Sequence, residues 1–142
     1  MNAIRGLVAV IGGLAITRLL VQPLEVTLVN ALAQQPLRTA GDFAAVLNSP
    51  PMMVARLLYT AVASILGGYV AARIAAHDPM RYTMVAAAFQ AIVLVWGFAA
   101  GYALPTPIGM RVALVVVSSL GILAGGAVRS AVAALPSNRH VE

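Results

Sequence analysis

The sequence predicts an all-α protein that crosses a membrane as a four-helix bundle. Of its 142 residues, 61% are hydrophobic and 9% are charged, whereas soluble domains carry about 25% charged residues. Four separate apolar segments are each long enough to cross about 30 Å of hydrocarbon. Because backbone polar groups in lipid must pair within the segment, and barrel-like alternation is absent, these segments are predicted to be helices.

The four predicted spans form one domain and cover residues 4–33, 52–75, 82–104 and 108–133. Polar turns join the later spans. The turn over 77–81 contains one proline, and the turn over 104–109 contains two, which stop one helix and start the next. Residues 134–142 form a polar tail.

The longest connection is the outer loop over 34–51. Asp42 is predicted to cap a short helix over 43–48, which Pro50 and Pro51 then stop. We expect this short helix to lie in the membrane interface.

Arginine placement predicts the orientation, because positively charged residues favour the cytoplasmic side. With a cytoplasmic N-terminus, five arginines lie inside and three lie near the outside: Arg5, Arg73, Arg81, Arg129 and Arg139 against Arg38, Arg56 and Arg111. Both termini are therefore predicted to be cytoplasmic in a bacterial inner membrane, with Arg73, Arg81 and Arg129 as interfacial anchors. Tyr82 and Tyr102 are spaced as an aromatic belt, about 30 Å apart.

Small residues give the strongest packing signal, because helices in lipid associate through close backbone approach. The third span carries one GxxxG motif, the fourth span carries another, and glycine pairs precede Arg73 and Arg129. The predicted packing residues are Gly67, Gly68, Gly97, Gly101, Gly121, Gly125 and Gly126. The sequence leaves open whether they serve the bundle itself or a neighbouring subunit.

The two glycine pairs also suggest an internal duplication. The second and fourth spans both follow a proline-containing outer turn, carry an arginine near their start and end in a glycine pair followed by an arginine. Two helical hairpins packed as parallel halves would produce this pattern. Convergence of two unrelated spans would produce the same pattern, because both spans run from outside to inside and meet the same constraints.

The polar residues inside the spans are Arg18, Glu25, Arg56, Gln90 and Arg111. Glu25 lies towards the outer side, where an ion pair with Arg56 or Arg111 would tie helices together. The alternatives are a carboxylate that couples protons or cations to transport, or snorkelling with Pro23 ending the first span early. Gln90 is expected to form an interhelical hydrogen bond.

Several functional classes lack support in the sequence. The chain has no cysteine, four acidic residues and two histidines, His77 and His140, both in polar stretches. No nucleophile–base set, phosphate loop or metal-ligand spacing is present, so we expect no catalysis, no metal and no cofactor. The net charge of +5 is explained by arginines that flank the spans, rather than by nucleic-acid binding.

The chain resembles a group of small bacterial four-helix membrane proteins that have a glutamate in the first helix and a GGxxAAR-like motif ending the second. The residues that carry the likeness are Glu25, Pro50, Gly67, Gly68, Ala71, Ala72, Arg73, Pro105, Gly125, Gly126 and Arg129. The resemblance implies the architecture alone, and a mid-helix Arg18 departs from it. A weaker similarity, to the small multidrug-resistance transporters, lacks the aromatic residues expected around the glutamate.

These features favour a non-catalytic accessory subunit that packs on a larger membrane complex, with other membrane proteins and lipid as its partners. The reasons are the small extramembrane segments, the lack of reactive groups and the small-residue faces. The alternatives are a small homo-oligomeric transporter with Glu25 as its coupling site, and a lipid-binding or quality-control factor.

Overall fold

The computed structural model describes residues 2–33, 35–75, 78–101 and 105–134, and over these ranges it is helical with no strand. It contains five helices: α1 (Asn2–Leu32), α2 (Ala40–Leu47), α3 (Pro50–Ala75), α4 (Pro79–Ala99) and α5 (Ile108–Ala134). All except α2 are long and apolar enough to span a membrane. The predicted all-α, four-span bundle is therefore confirmed, and the chain is a multi-pass membrane protein. Its orientation and its particular membrane stay predictions.

The prolines at 105 and 107 lie between α4 and α5 as predicted, whereas those at 23, 50 and 79 lie within helices. The first span does not end at Pro23, since α1 runs through this residue to Leu32. A proline in a spanning helix is tolerated where neighbouring groups satisfy the freed carbonyl. Pro50 and Pro79 each begin a helix, two and three residues before the predicted starts, because the first turn leaves its N–H groups unpaired in any case.

The short helix in the outer loop begins earlier than predicted, and its cap is Thr39 rather than Asp42. The Thr39 hydroxyl accepts from the Asp42 N–H at 3.1 Å, while Asp42 Oδ2 accepts from the Thr39 N–H at 2.9 Å. This is a capping box, with the acidic residue at its third position. Hydrogen bonds from the N–H groups of Arg38 and then of Thr39 hold the pKa of the Asp42 carboxyl below its usual value.

Helix α4, which is the third span, ends at Ala99, before the predicted bound at residue 104. One glycine of its GxxxG motif therefore lies outside the helix. Gly101 lies beyond the helix with a φ of 73°, in the left-handed region that ends many helices. Its role is therefore in the turn, and it does not pack one helix against another. Tyr102, the predicted second half of the aromatic belt, lies outside the described residues.

The bundle is built around α3 and α5, which run parallel to each other at its centre. The contacts between them advance in the same direction along both helices, with Gly121 on Ser64 and Gly125 against Tyr69. α1 packs antiparallel on the other side of α3, and α4 packs antiparallel on α5. α1 and α4 therefore occupy the flanks, each attached mainly to its own central helix.

Glycines allow the central helices to touch through their backbones. A Cβ atom built on Gly68 would overlap the carbonyl of Ile122, and one built on Gly125 would overlap the carbonyl of Ile65. Any side chain at these two positions would push α3 and α5 apart. Gly68 and Gly125 thus pack α3 on α5.

The other member of each glycine pair faces a flanking helix. Gly67 lies against Thr17 of α1. A Cβ atom built on Gly126 would lie within 3 Å of Thr83 of α4. Each pair therefore serves one central and one flanking neighbour, but in reversed order along the chain. A strict repeat would keep that order, so the contacts match a shared packing constraint more closely than a copied motif.

The flanking helices touch at one end of the bundle and separate at the other. Near the end that carries Arg5 and Arg81, which we call the arginine end, Gly6 lies directly under the Tyr82 ring. Towards the opposite end, which carries α2, a Cβ built on Gly97 of α4 would have no atom within 4 Å. The gap between α1 and α4 therefore widens towards the α2 end.

Alanine substitutions at Gly68 and Gly97 should have opposite effects on stability. Gly68→Ala places a methyl group on the Ile122 backbone, and we expect a loss of about 1–3 kcal/mol from this overpacking. Gly97→Ala enters open space and should gain up to about 1 kcal/mol by restricting the unfolded chain. Unfolding by SDS in mixed micelles, followed by far-UV circular dichroism, measures both. Equal shifts in the two variants would contradict the assigned packing.

Candidate functional site

A polar cavity of about 350 Å³ lies inside the bundle, in the half nearer α2, where α1 and α4 diverge. All five helices contribute to its wall. Its polar lining residues are Thr17, Arg18, Gln22, Glu25, Arg56, Thr60 and Gln90, and its apolar lining residues are Val21, Leu47, Leu94, Phe98 and Leu114. We call it the charged cavity, since it collects four of the five predicted intramembrane polar residues, three of which are charged.

Glu25 is the only acid in this cavity wall, and it is held by two residues of α3. Its Oε2 atom lies 3.2 Å from Arg56 Nε and accepts a hydrogen bond of 3.0 Å from the Tyr59 hydroxyl. Both members of the ion pair are mostly buried, with 20% of the Glu25 side chain and 14% of the Arg56 side chain exposed. Of the two pairings expected for Glu25, the structure forms the one with Arg56, which ties α1 to α3.

Arg56 keeps a free donor beside the cavity. Its Nη1 atom is buried and has no hydrogen-bond partner in the part of the chain that the structure describes. A guanidinium donates up to five hydrogen bonds, so one carboxylate oxygen leaves it largely unsatisfied. An unpaired buried donor costs about 1–3 kcal/mol unless water or a ligand fills the site.

Arg18 lies at the middle of the first spanning segment. It is about 21 Å by helical rise from each end of the span Ile4–Leu32. Its side chain lines the cavity, is exposed in the isolated chain, and forms no ion pair or hydrogen bond with any residue described here. A charge at this depth costs several kcal/mol unless it is hydrated or paired, so Arg18 requires an acceptor in the cavity.

Gln90 faces Arg18 from α4. The residue is 5% exposed, yet its amide makes no hydrogen bond within the described ranges. The interhelical hydrogen bond expected for it is therefore not formed, because α4 stands away from α1 at this level. Its amide lines the cavity instead.

Arg111 lies outside the charged cavity. Its Nε atom donates to the carbonyl of Thr106 at 2.7 Å, and its guanidinium carbon lies 5.6 Å from the centre of the Phe98 ring. These contacts fix the turn before α5 onto the end of α4. The residue also lines an apolar groove between α4 and α5, which faces away from the bundle interior.

Sequence reasoning missed two residues of this region. Tyr59 follows Arg56 by three positions, so both side chains lie on one face of α3. Once α1 is known to pack on α3, this spacing is enough to predict the contact between Tyr59 and Glu25. Thr17 lies beside Arg18, and its hydroxyl donates to the Gly13 carbonyl at 3.1 Å and approaches the Ala63 carbonyl at 3.4 Å. Nothing local in the sequence distinguishes such a threonine from one that faces lipid.

The remaining predicted residues lie away from the cavity. Arg73, Arg81 and Arg129 are at the arginine end together with Arg5. His77, His140 and Arg139 fall outside the described residues. Among the described ranges, no three His, Cys, Asp or Glu side chains cluster as metal ligands would.

Comparisons with protein-family models, with curated proteins and with solved structures gave no match. The resemblance to small bacterial four-helix membrane proteins therefore stays a prediction, and the cavity has to be interpreted from its own chemistry. It combines two guanidinium groups and one carboxylate, for a net charge of +1, with donors on Arg18, Arg56 and Gln90 that lack acceptors. Such an arrangement can bind water or an oxyanion.

A double-mutant cycle should separate the Glu25–Arg56 pair from other effects of charge. Glu25→Ala alone leaves a buried guanidinium unpaired, and we expect it to cost about 3 kcal/mol of stability. Combining it with Arg56→Ala should cost about 1–3 kcal/mol less than the sum of the single changes. SDS unfolding measures each variant.

The matched control pairs Glu25→Ala with Arg111→Ala, because Arg111 contacts Thr106 and Phe98 instead of Glu25. That cycle should be additive within about 0.5 kcal/mol. Coupling of the same size in both cycles would mean that the Glu25–Arg56 contact is not the origin of the effect.

Proposed function

We propose that this membrane protein binds an anionic ligand in the charged cavity and transports it across the membrane, without catalysing a reaction. The proposal rests on the observation that the cavity holds more polar groups than are needed to join α1 to α3. Glu25 and Arg56 suffice to join α1 to α3. Arg18 and Gln90 add a second charge and an amide at a depth where each is costly without an acceptor.

Intramembrane ionisable residues commonly mark substrate or ion pathways, which supports a functional use of this excess. A volume of about 350 Å³ is also within the range of small-molecule sites, about 300–1,000 Å³. A net charge of +1 favours an anion and disfavours a cation as the ligand. These features lead us to prefer transport, although composition alone favours an accessory role.

Glu25 is the residue that we propose to couple transport to protons. Protonation of its carboxylate would weaken the contact with Arg56 and leave that guanidinium free to bind the anion. Uptake of a proton and an anion would then be linked through one side chain. We propose that several copies of the chain, each with one such cavity, assemble into a homo-oligomer.

Proteoliposomes that contain an internal pH dye test the transport proposal. Addition of sodium phosphate, succinate or gluconate to the wild-type protein should move protons inward with at least one of these anions. Glu25→Gln should abolish this movement, because the amide cannot take up a proton as the carboxylate can. Arg111→Gln, which alters a guanidinium outside the cavity, should retain it.

Two results would count against transport. One is an equal signal from empty liposomes and from liposomes that contain the protein. The other is undiminished flux through Glu25→Gln, which would remove Glu25 from the mechanism.

The second candidate is the accessory subunit that packs on a larger membrane complex. It is favoured by the apolar groove of about 350 Å³ between α4 and α5, lined in part by Val95, Ile108 and Val112. All three side chains are more than half exposed in the isolated chain. A helix of a larger protein would bury them, and the short extramembrane segments offer little other contact surface.

Purification of the tagged protein in mild detergent tests the accessory role. A partner should co-purify in a fixed ratio, and Val112→Trp, which fills the groove, should release it. Val128→Trp is the matched control, since Val128 is similarly exposed on another face of α5. Recovery of the protein alone, or release of the partner by both variants, would contradict this role.

A further inference from the structure

We infer that the charged cavity binds the carboxylate or phosphate headgroup of an anionic amphiphile, which enters sideways from the lipid between α1 and α4. This inference names the ligand class of the proposed transport site and rests on that site. The inference concerns binding alone, so it can be tested separately from transport of the ligand.

The charges select the headgroup. Arg18 and Arg56 contribute two positive charges against the single carboxylate of Glu25. The donors of Arg18, Gln90 and Arg56 Nη1 all lack an acceptor within the described part of the chain. A carboxylate or phosphate supplies acceptor oxygens without bringing donors of its own, and it neutralises the remaining charge.

An apolar crevice continues the cavity towards the lipid. It has a volume of about 330 Å³, runs between α1 and α4, and shares Arg18 and Gln90 with the charged cavity. Its other lining residues are Ile11, Leu14, Ala15, Phe89 and Val93. A polar chamber that opens into an apolar crevice matches a ligand with an anionic head and a hydrocarbon tail.

The bundle favours lateral entry over entry along its axis. Leu47 of α2 forms part of the wall on the α2 side and is almost fully buried. The Asn48 side chain donates to the Pro105 carbonyl at 2.6 Å, which joins the end of α2 to the segment before α5. In the described part of the chain, no side-chain hydrogen bond or ion pair joins α1 to α4 across the crevice.

The depths of the polar groups agree with a lipid-like orientation. Arg56 meets Glu25, which is about 10 Å along α1 from Arg18 towards the α2 end. The crevice extends from Arg18 in the other direction, to Ile11. A headgroup between Arg56 and Gln90 would therefore direct its tail past the level of Arg18 towards the arginine end, which is the direction of an acyl chain from the leaflet on the α2 side.

A transmembrane helix fits this space less well. A helix with side chains is about 10–12 Å across and needs a groove that is open along several turns. The charged cavity has walls from all five helices and shares Arg18 and Gln90 with the crevice. Charge complementarity and size therefore both point to a headgroup.

Native mass spectrometry of the full chain in detergent tests the inference. The probes are oleate, dioleoyl phosphatidylglycerol, dioleoyl phosphatidylcholine and inorganic phosphate. We expect one molecule of oleate or of phosphatidylglycerol bound per chain, at least 10-fold more tightly than phosphatidylcholine or inorganic phosphate. The ratio of oleate to phosphatidylglycerol affinity then identifies a free acid or a phospholipid as the source of the headgroup.

Variants locate the binding site. Arg18→Gln and Gln90→Leu should each weaken the preferred anionic ligand, and loss of the Arg18 charge should cost about 10- to 100-fold. Arg73→Gln, at the arginine end and outside the cavity, should bind like the wild type. Circular dichroism checks that each variant is folded, which we expect for Arg18→Gln because this side chain has no partner among the described residues.

Three outcomes would overturn the inference: equal binding of phosphatidylcholine and phosphatidylglycerol, binding of inorganic phosphate as tight as that of oleate, or equal weakening by Arg18→Gln and Arg73→Gln. Failure of the transport proposal looks different. In that case oleate binds and Arg18→Gln weakens it, but with oleate as the added anion the liposomes that contain the protein show no more proton movement than empty liposomes.

Discussion

The direct backbone contact between α3 and α5 is the constraint on which the rest of the bundle depends. Glycines at 68 and 125 bring the carbonyls of the opposite helix to within the space that a methyl group would occupy. In lipid, where hydrophobic exclusion offers little force between helices, such contact maximises dispersion and dipole interactions. The two central helices then offer fixed outer faces, and Gly67 and Gly126 use these faces to attach one flanking helix each.

A consequence of this plan is that the flanking helices have little reason to stay together. Each is anchored to its own central helix, and they meet at the arginine end through Gly6 and Tyr82. At the other end, polar groups replace close packing: Glu25 binds Arg56 and Tyr59, while Arg18 and Gln90 face open space. The chain thus keeps the close contact between α1 and α4 and its polar chamber at different levels of the bundle.

Composition and segment length predicted the fold class and the four spans, because hydrophobic thickness and backbone hydrogen bonding leave few alternatives in lipid. Details that depend on neighbours were predicted less well. Gly97 and Gly101 match a packing motif, but one faces a gap and the other ends the helix. Asp42 resembles a cap, but the capping box places it third, behind Thr39. Glu25 had two arginines within reach by sequence, and only the pairing of α1 with α3 distinguishes them.

The helices also differ in length in a way that bears on the origin of the cavity. α1 has 31 residues and α4 has 21, so their axes measure about 46 Å and about 32 Å. Two parallel neighbours of such unequal length do not both stand upright in one bilayer with both pairs of ends level, and the longer helix tilts or protrudes. Contact at one end and divergence at the other is the geometric result of that mismatch. The chamber between them is therefore a product of helix length, and the polar residues only determine what it holds.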